Sequence, residues 1–392
     1  MRATPIISLI SLALTLLGSA DLKTWSNVRG QSFEAEFIRI HGAEAIFTLA
    51  NGRSFATPIV ELAPQHRATL QKARDGLDLM QAPETVNSTF SRPWPREIRL
   101  DGPVNSRVVS EDPKSGRYIY ETPNYRFTCE SPLTAEVVSN FSVMFEATYK
   151  YAQSIPLSLG SGRKREGKLD IFLFSSMASY VKAGGPPGSG GCFFRGFVLV
   201  PMASLGLTKS STGFTLDRKR DNSVLVHELA HQLTPEAYFA HGARGWFTEG
   251  LAESMAITPY SWNYFSIDAG GSLEKDYVTA NGKTGRGGRT LGTTINAPRL
   301  KHFFTMPYEQ FSGSNANSNY GIALLVTHYF LHMEGDGKAR KITQFLKSLH
   351  AGADGDTALA QLLGSDSYEV LENEISMAWA KKGIQIRFTG EF

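Results

Sequence analysis

Val224-Leu225-Val226-His227-Glu228-Leu229-Ala230-His231 and Trp246-Phe247-Thr248-Glu249-Gly250-Leu251-Ala252-Glu253 are two short apolar segments carrying a few chemically active side chains. The first holds an HExxH motif. Its apolar neighbours predict a buried helix, with Asp221, Asn222 or Ser223 as the N-cap. Residues four apart on a helix share a face. The imidazoles of His227 and His231 therefore point the same way, close enough to share one metal ion, and Glu228 can reach a water on that ion. The plainer alternative is a buried helix whose histidines are satisfied core groups. The second segment predicts another helix, stopped before Pro259. The 17 residues from 232 to 248 allow a loop and a return, so the second helix lies antiparallel to the first. Glu249 can then complete a His, His, Glu set, which suits catalytic zinc with one position left for water. Glu253, one turn later, either accepts the second N–H of a ligand histidine or forms a surface salt bridge. His241 is a rival third ligand. Its distance from His231 does not match the short HExxHxxGxxH spacing, and Gly242 and Gly245 suggest a loop there.

Around this core the chain reads as α+β, strands first and helices after. Tyr118 to Cys129 is a strand pair turning at Pro123-Asn124. Ala135 to Tyr151 has helical periodicity, Leu169 to Phe174 is a short apolar strand, and Phe193 to Val200 is another. Helices follow at about 222–234, 246–257, 320–333, 338–349 and 367–381. Gly184 to Gly191 lacks the Gly-Lys-Ser/Thr ending of a phosphate loop; it is a mobile flap or an ordinary hairpin loop. Asn281 to Gly288 is Gly-rich, with no readable chemistry. His328 and His332 lie four apart, but no acid follows at a suitable spacing, so they read as surface or packing residues.

The first twenty residues read as a secretory signal peptide. Arg2 supplies a positive start, Ile6 to Leu17 an apolar stretch, and Gly18-Ser19-Ala20 the small residues of a cleavage site. That stretch is short for a membrane span, and no later segment reads as an integral one. The expected location is periplasmic or extracellular. Residues 21–74 read as a small β-barrel domain: alternation at Phe33-Ala35-Phe37, a run from Ala45 to Leu49, the turn signal Asn51-Gly52, and a run from Ser54 to Ile59 demoted to an edge by Pro58. Residues 75–115 contain Pro83, Pro93, Pro95, Pro103 and Pro113 and read as a linker or extended wrapping segment. Residues 116–392 form the second domain. The two cysteines, Cys129 and Cys192, can pair after export or remain buried thiols. A net charge of +3 with scattered Lys and Arg gives no case for a nucleic-acid partner, and Arg163-Lys164-Arg165 reads as a solvated turn.

Two resemblances add to this. Thr24-Trp25-Ser26-Asn27 with Gly30, Phe33-Glu34-Ala35-Glu36-Phe37, Asn51-Gly52-Arg53 and Ile59 to Leu62 resemble the small SH3-like homology domain first named from a yeast actin-patch protein. That likeness implies an accessory binding role without chemistry. His227 to His231 together with Trp246 to Glu253 resemble the gluzincin superfamily of thermolysin-like and aminopeptidase-like zinc peptidases. They are similar in particular to an uncharacterised bacterial gluzincin-like group with a W-x-x-E-G-L-A-E segment. Thr248 stands where Asn is often found, a mild departure. The likeness implies a zincin-like domain, a small mixed sheet plus a helical bundle. It also implies one Zn2+ on His227, His231 and Glu249, Glu228 as general base, and a peptide or protein substrate. Asn319-Tyr320-Gly321 resembles the Tyr-bearing helix start of aminopeptidase-like members, which makes Tyr320 the expected oxyanion donor. An edge strand lies above the metal in gluzincins, which implies substrate contacts at Phe193, Phe194 and Gly196. Two rivals are a degenerate zinc-binding adhesion or scaffold module and a metal hydrolase acting on other bonds.

Overall fold

The computed structural model describes residues 22–41, 44–49, 54–67, 70, 89–160, 167–210, 213–216, 223–261, 263–267, 270–279 and 288–390. The signal-like segment, Asn51-Gly52, Arg163-Lys164-Arg165, Asp221, Asn222 and residues 281–287 lie outside them. The chain divides into two compact units, Met1–Ser88 and Thr89–Phe392, and each is described by itself.

In the first unit, β1 (Lys23–Ser26), β2 (Ser32–His41), β3 (Glu44–Leu49) and β4 (Ser54–Pro58) form one antiparallel sheet in that order. Period-two alternation puts Trp25, Ala35, Ala45 and Phe47 on its buried side, where Phe33, Phe37 and Phe55 pack around Phe47. The Trp25 indole N–H donates to the Ala35 carbonyl at 3.0 Å, so the largest core side chain keeps its one polar group satisfied. Pro58 ends β4, and the chain leaves it through a tight turn at Ile59–Glu61.

The second unit is α+β. Its main sheet contains β6 (Arg107–Asp112), β7 (Arg117–Glu121), β8 (Tyr125–Cys129), β9 (Leu169–Phe174), β10 (Cys192–Phe194) and β11 (Phe197–Pro201), in the order β10-β11-β9-β8-β7-β6. β9 runs parallel to both neighbours. All six of its residues are buried, as expected for a parallel strand covered on both faces. The crossover from β8 to β9 is α1 (Ala135–Ser154), started by the Thr134 hydroxyl accepting the Val137 N–H. The part of the Pro-rich segment described here, 89–115, carries two sheet strands. β5 (Glu97–Arg99) pairs with a later strand at Tyr264–Ser266, and β6 pairs with β7. Prolines flank these strands rather than interrupt them, which the count of prolines alone does not reveal.

The run from Phe193 to Val200 is two strands, not one. Arg195 (φ 53°) and Gly196 (φ 86°) make a two-residue turn with both φ values positive, the geometry that matches strand twist. β10 is thus a short edge strand folded back on β11.

After α2 (Met177–Lys182) and β10–β11 come the two helices read from the sequence, α3 (Ser223–Leu233) and α4 (Trp246–Ile257). They pack face to face. Trp246 is fully buried against Phe304, Phe330 and Phe345. Next come α5 (Ser272–Thr279), α6 (Leu300–Thr305), α7 (Tyr308–Phe311) and α8 (Ala316–His328), which continues as a π turn over Tyr329–Met333. α9 (Arg340–His350), α10 (Gly355–Leu363) and α11 (Tyr368–Ala380) follow, and a last strand, Gln385–Gly390, pairs in parallel with Thr294–Pro298. Among the described residues no helix is long and apolar enough to cross a membrane.

Candidate metal centre

α3 presents His227 and His231 on one face, and α4 brings Glu249 to meet both. His231 Nε2 lies 3.1 Å from His227 Nε2, and Glu249 Oε2 is 3.2 Å from His227 Nε2 and 3.1 Å from His231 Nε2. His231 meets Glu249 while His227 also meets Glu253, so the two helices run antiparallel, as the loop length predicts. His241 is exposed and takes no part.

Three donors fit a metal only if their distances and protonation allow it. Atoms about 2.0–2.1 Å from a common ion at near-tetrahedral angles stand roughly 3.3 Å apart, close to the spacing found. The other ring nitrogen of His227, Nδ1, lies 3.2 Å from Glu253 Oε1. In the neutral ring that contact puts the proton on Nδ1 and leaves the Nε2 lone pair facing the Glu249 carboxylate. A lone pair and a carboxylate turned toward one point need a cation between them. Burial disfavours charge on His227, but the hydrogen bonds to Glu249 and Glu253 outweigh it and raise its pKa well above 6.5. Burial likewise opposes an ionised Glu249. The two imidazoles more than offset this and hold its carboxyl far below the usual range. The cluster therefore attracts a positive charge, a proton or a metal ion. His227, His231 and Glu249 can hold one metal ion, and among the described residues this is the one such group of three.

Glu253 resolves the choice left by the sequence. It is buried, and besides His227 it binds Arg289 through two bonds, Nη2 to Oε1 at 2.7 Å and Nε to Oε2 at 3.1 Å. In sequence, Arg289 directly follows the Gly-rich stretch Asn281 to Gly288. Its guanidinium also lies 4.8 Å from the Tyr320 ring centre. Tyr320 packs on the ring of His227 at 6.2 Å between centroids. Burial first, then nearby Glu249, raise its pKa, so its hydroxyl keeps its proton. Glu228 is also buried, which raises its carboxyl pKa above 4.5 despite the two imidazoles beside it.

The edge strand comes to the site through Phe193. Its ring stacks on His231 at 6.3 Å and on Phe239 at 6.0 Å, and its backbone N–H donates to Glu228. Phe194, on the opposite face of the strand, lies under the Arg195 guanidinium instead. Gly196 is in the turn, and its carbonyl accepts from Gln232 Nε2. The Gly184–Gly191 loop is anchored: Tyr180 Oη is 2.6 Å from Ser189 Oγ, and Ser189 Oγ donates to the Pro186 carbonyl. At its end a side chain on Gly191 would crowd Glu228, 3.2 Å from Cγ.

Tyr308 escaped the sequence reading. Its hydroxyl donates to Glu249 Oε1 at 2.8 Å and is within hydrogen-bond reach of Tyr320. It lies 59 residues beyond Glu249, with no motif to flag it. His328 turns out to be fully buried, with Nδ1 3.0 Å from Glu274 Oε1; its acid comes from α5, not from its own helix. Cys129 and Cys192 are free thiols.

Comparison with protein-family models, curated proteins and solved structures finds no match to the chain.

Proposed function

We propose that this chain is an exported zinc-dependent peptidase of gluzincin type, with a zincin-like second unit and an SH3-like first unit as an accessory binding module. The observation that carries the proposal is the convergence of His227 Nε2, His231 Nε2 and Glu249 Oε2 within 3.2 Å, with buried Glu228 on the same helix. Two nitrogens and one carboxylate suit zinc and leave a position open. Zinc, when bound, polarises a carbonyl and lowers the pKa of water to about 7. Glu228 accepts the proton of the attacking water and returns it to the leaving amine; a carboxyl pKa raised by burial suits both transfers. Tyr320, protonated and beside His227, donates to the developing oxyanion. Phe193, on an edge strand beside the cluster, favours an extended peptide over a compact small substrate.

The test joins elemental analysis to digestion of a peptide library, with and without chelator. One zinc per chain and chelator-sensitive cleavage are expected. Glu228→Gln should keep the zinc and lose activity by roughly 10²-fold or more. Zinc without any cleavage would favour a scaffold module, and cleavage confined to other bonds a different hydrolase. Full activity in Glu228→Gln would overturn the assignment of the base.

A further inference from the structure

The two oxygens of Glu249 have different surroundings. Oε2 faces both imidazole nitrogens, at 3.2 and 3.1 Å, whereas Oε1 accepts the Tyr308 hydroxyl at 2.8 Å. A carboxylate is acceptor-only and can bind a metal through one oxygen or both. Which it does decides how many positions remain for water. A phenol O–H held on Oε1 competes with the ion for that oxygen.

Tyr308 is well placed to hold it. Its ring stacks on Phe311 at 6.3 Å with an interplanar angle of 11°, and the Arg244 guanidinium lies 4.7 Å over its centre. Pro307, directly before it, precedes the short helix α7 with φ at −56°. The phenol carries one proton. With that proton on Glu249, it has none to give to Tyr320.

We propose that Tyr308 is a positioning residue that keeps Glu249 bound to the metal through Oε2 alone, so that one coordination position stays free for water. This rests on the metal-site reading above. It assigns to α7, an element outside both metal-binding helices, control of the coordination number.

The test uses the full chain loaded with Co2+ in place of zinc, because the visible absorption of Co2+ weakens as coordination rises from four toward five. Tyr308→Phe keeps the ring, and with it the stacking on Phe311 and Arg244, so the fold is expected to persist; near-ultraviolet circular dichroism checks this. The expected result is a weaker cobalt band in Tyr308→Phe than in the wild type. Its zinc affinity, read by chelator competition, should also fall, by roughly 10- to 100-fold, as for other groups that orient a metal ligand. Tyr320→Phe should leave both the spectrum and the affinity as in the wild type. A Tyr308→Phe protein with the wild-type spectrum and affinity would overturn the role of Tyr308. So would the same change in Tyr320→Phe, since the effect would then belong to the aromatic wall in general. A wild-type chain that takes up neither cobalt nor zinc would instead overturn the metal-site reading itself.

Discussion

Glu253 sits between a ring nitrogen of His227 and the guanidinium of Arg289, at 3.2 and 2.7 Å. Burial alone would neutralise such a carboxylate. The hydrogen bond to His227 and the charge of Arg289 keep it ionised, with its pKa below 4.5. Removing one partner of a buried ion pair leaves the other uncompensated, at a cost of about 3–5 kcal/mol. Arg289→Ala should therefore loosen Glu253 and, through it, the orientation of His227. The zinc dissociation constant should rise by roughly 10- to 100-fold in chelator competition. An unchanged constant would show that His227 is oriented without the clamp. The position of Glu253, one turn after Glu249, was readable from helix periodicity. Its partner Arg289 was not, because it lies 36 positions further along the chain and nothing local connects them.

At the scale of elements, the site depends on how closely α8 approaches α4. A side-chain carbon on Gly250 would fall 2.3 Å from Thr327 Oγ1 and 2.4 Å from the Ala323 carbonyl oxygen. Glycine in a helix costs about 1 kcal/mol relative to alanine, so Gly250→Ala would stabilise α4 if space were free. Overpacking costs about 1–3 kcal/mol, and one of the clashing atoms is backbone, which cannot rotate away. The clash should win, lowering the denaturation midpoint and pushing the Tyr320-bearing helix outward with loss of activity. A more stable Gly250→Ala would contradict this packing. The hairpin β10–β11 teaches a related point. Apolar residues run through Phe193, Phe194, Phe197 and Val198, so the pattern looks continuous, yet Arg195 and Gly196 take positive φ and reverse the chain. Only the pairing of Phe193 with Val198 shows that the run is folded on itself.

At the scale of the whole molecule, the second unit carries a half-buried histidine that no part of the proposed chemistry uses. His350 ends α9 with its ring against Tyr238 at 5.0 Å and Phe90 at 6.0 Å. Its Nε2 has no hydrogen-bond partner among the described residues. Burial pushes its pKa down to about 4. Above pH 6.5 the ring is neutral whether the chain is folded or not. Below 6.5 the unfolded chain takes up a proton that the folded chain refuses, so stability falls between about pH 6.5 and 4, by at most about 3 kcal/mol. The denaturant midpoint should drop less from pH 7.5 to 5 in His350→Gln than in the wild type; equal drops would mean that the ring is not held neutral. By itself, the amino-acid order determined what local rules decide: the α3 and α4 helices, the shared face of His227 and His231, the antiparallel return to Glu249, and the α+β class. Helical periodicity and loop reach operate over a few residues, so they can be read along the chain. Tertiary structure alone paired Glu253 with Arg289, gave His328 its acid from α5, and set Tyr308 on the far oxygen of Glu249. Those contacts join side chains far apart in sequence, and such neighbours are chosen by the packing of the entire core rather than by any nearby residue.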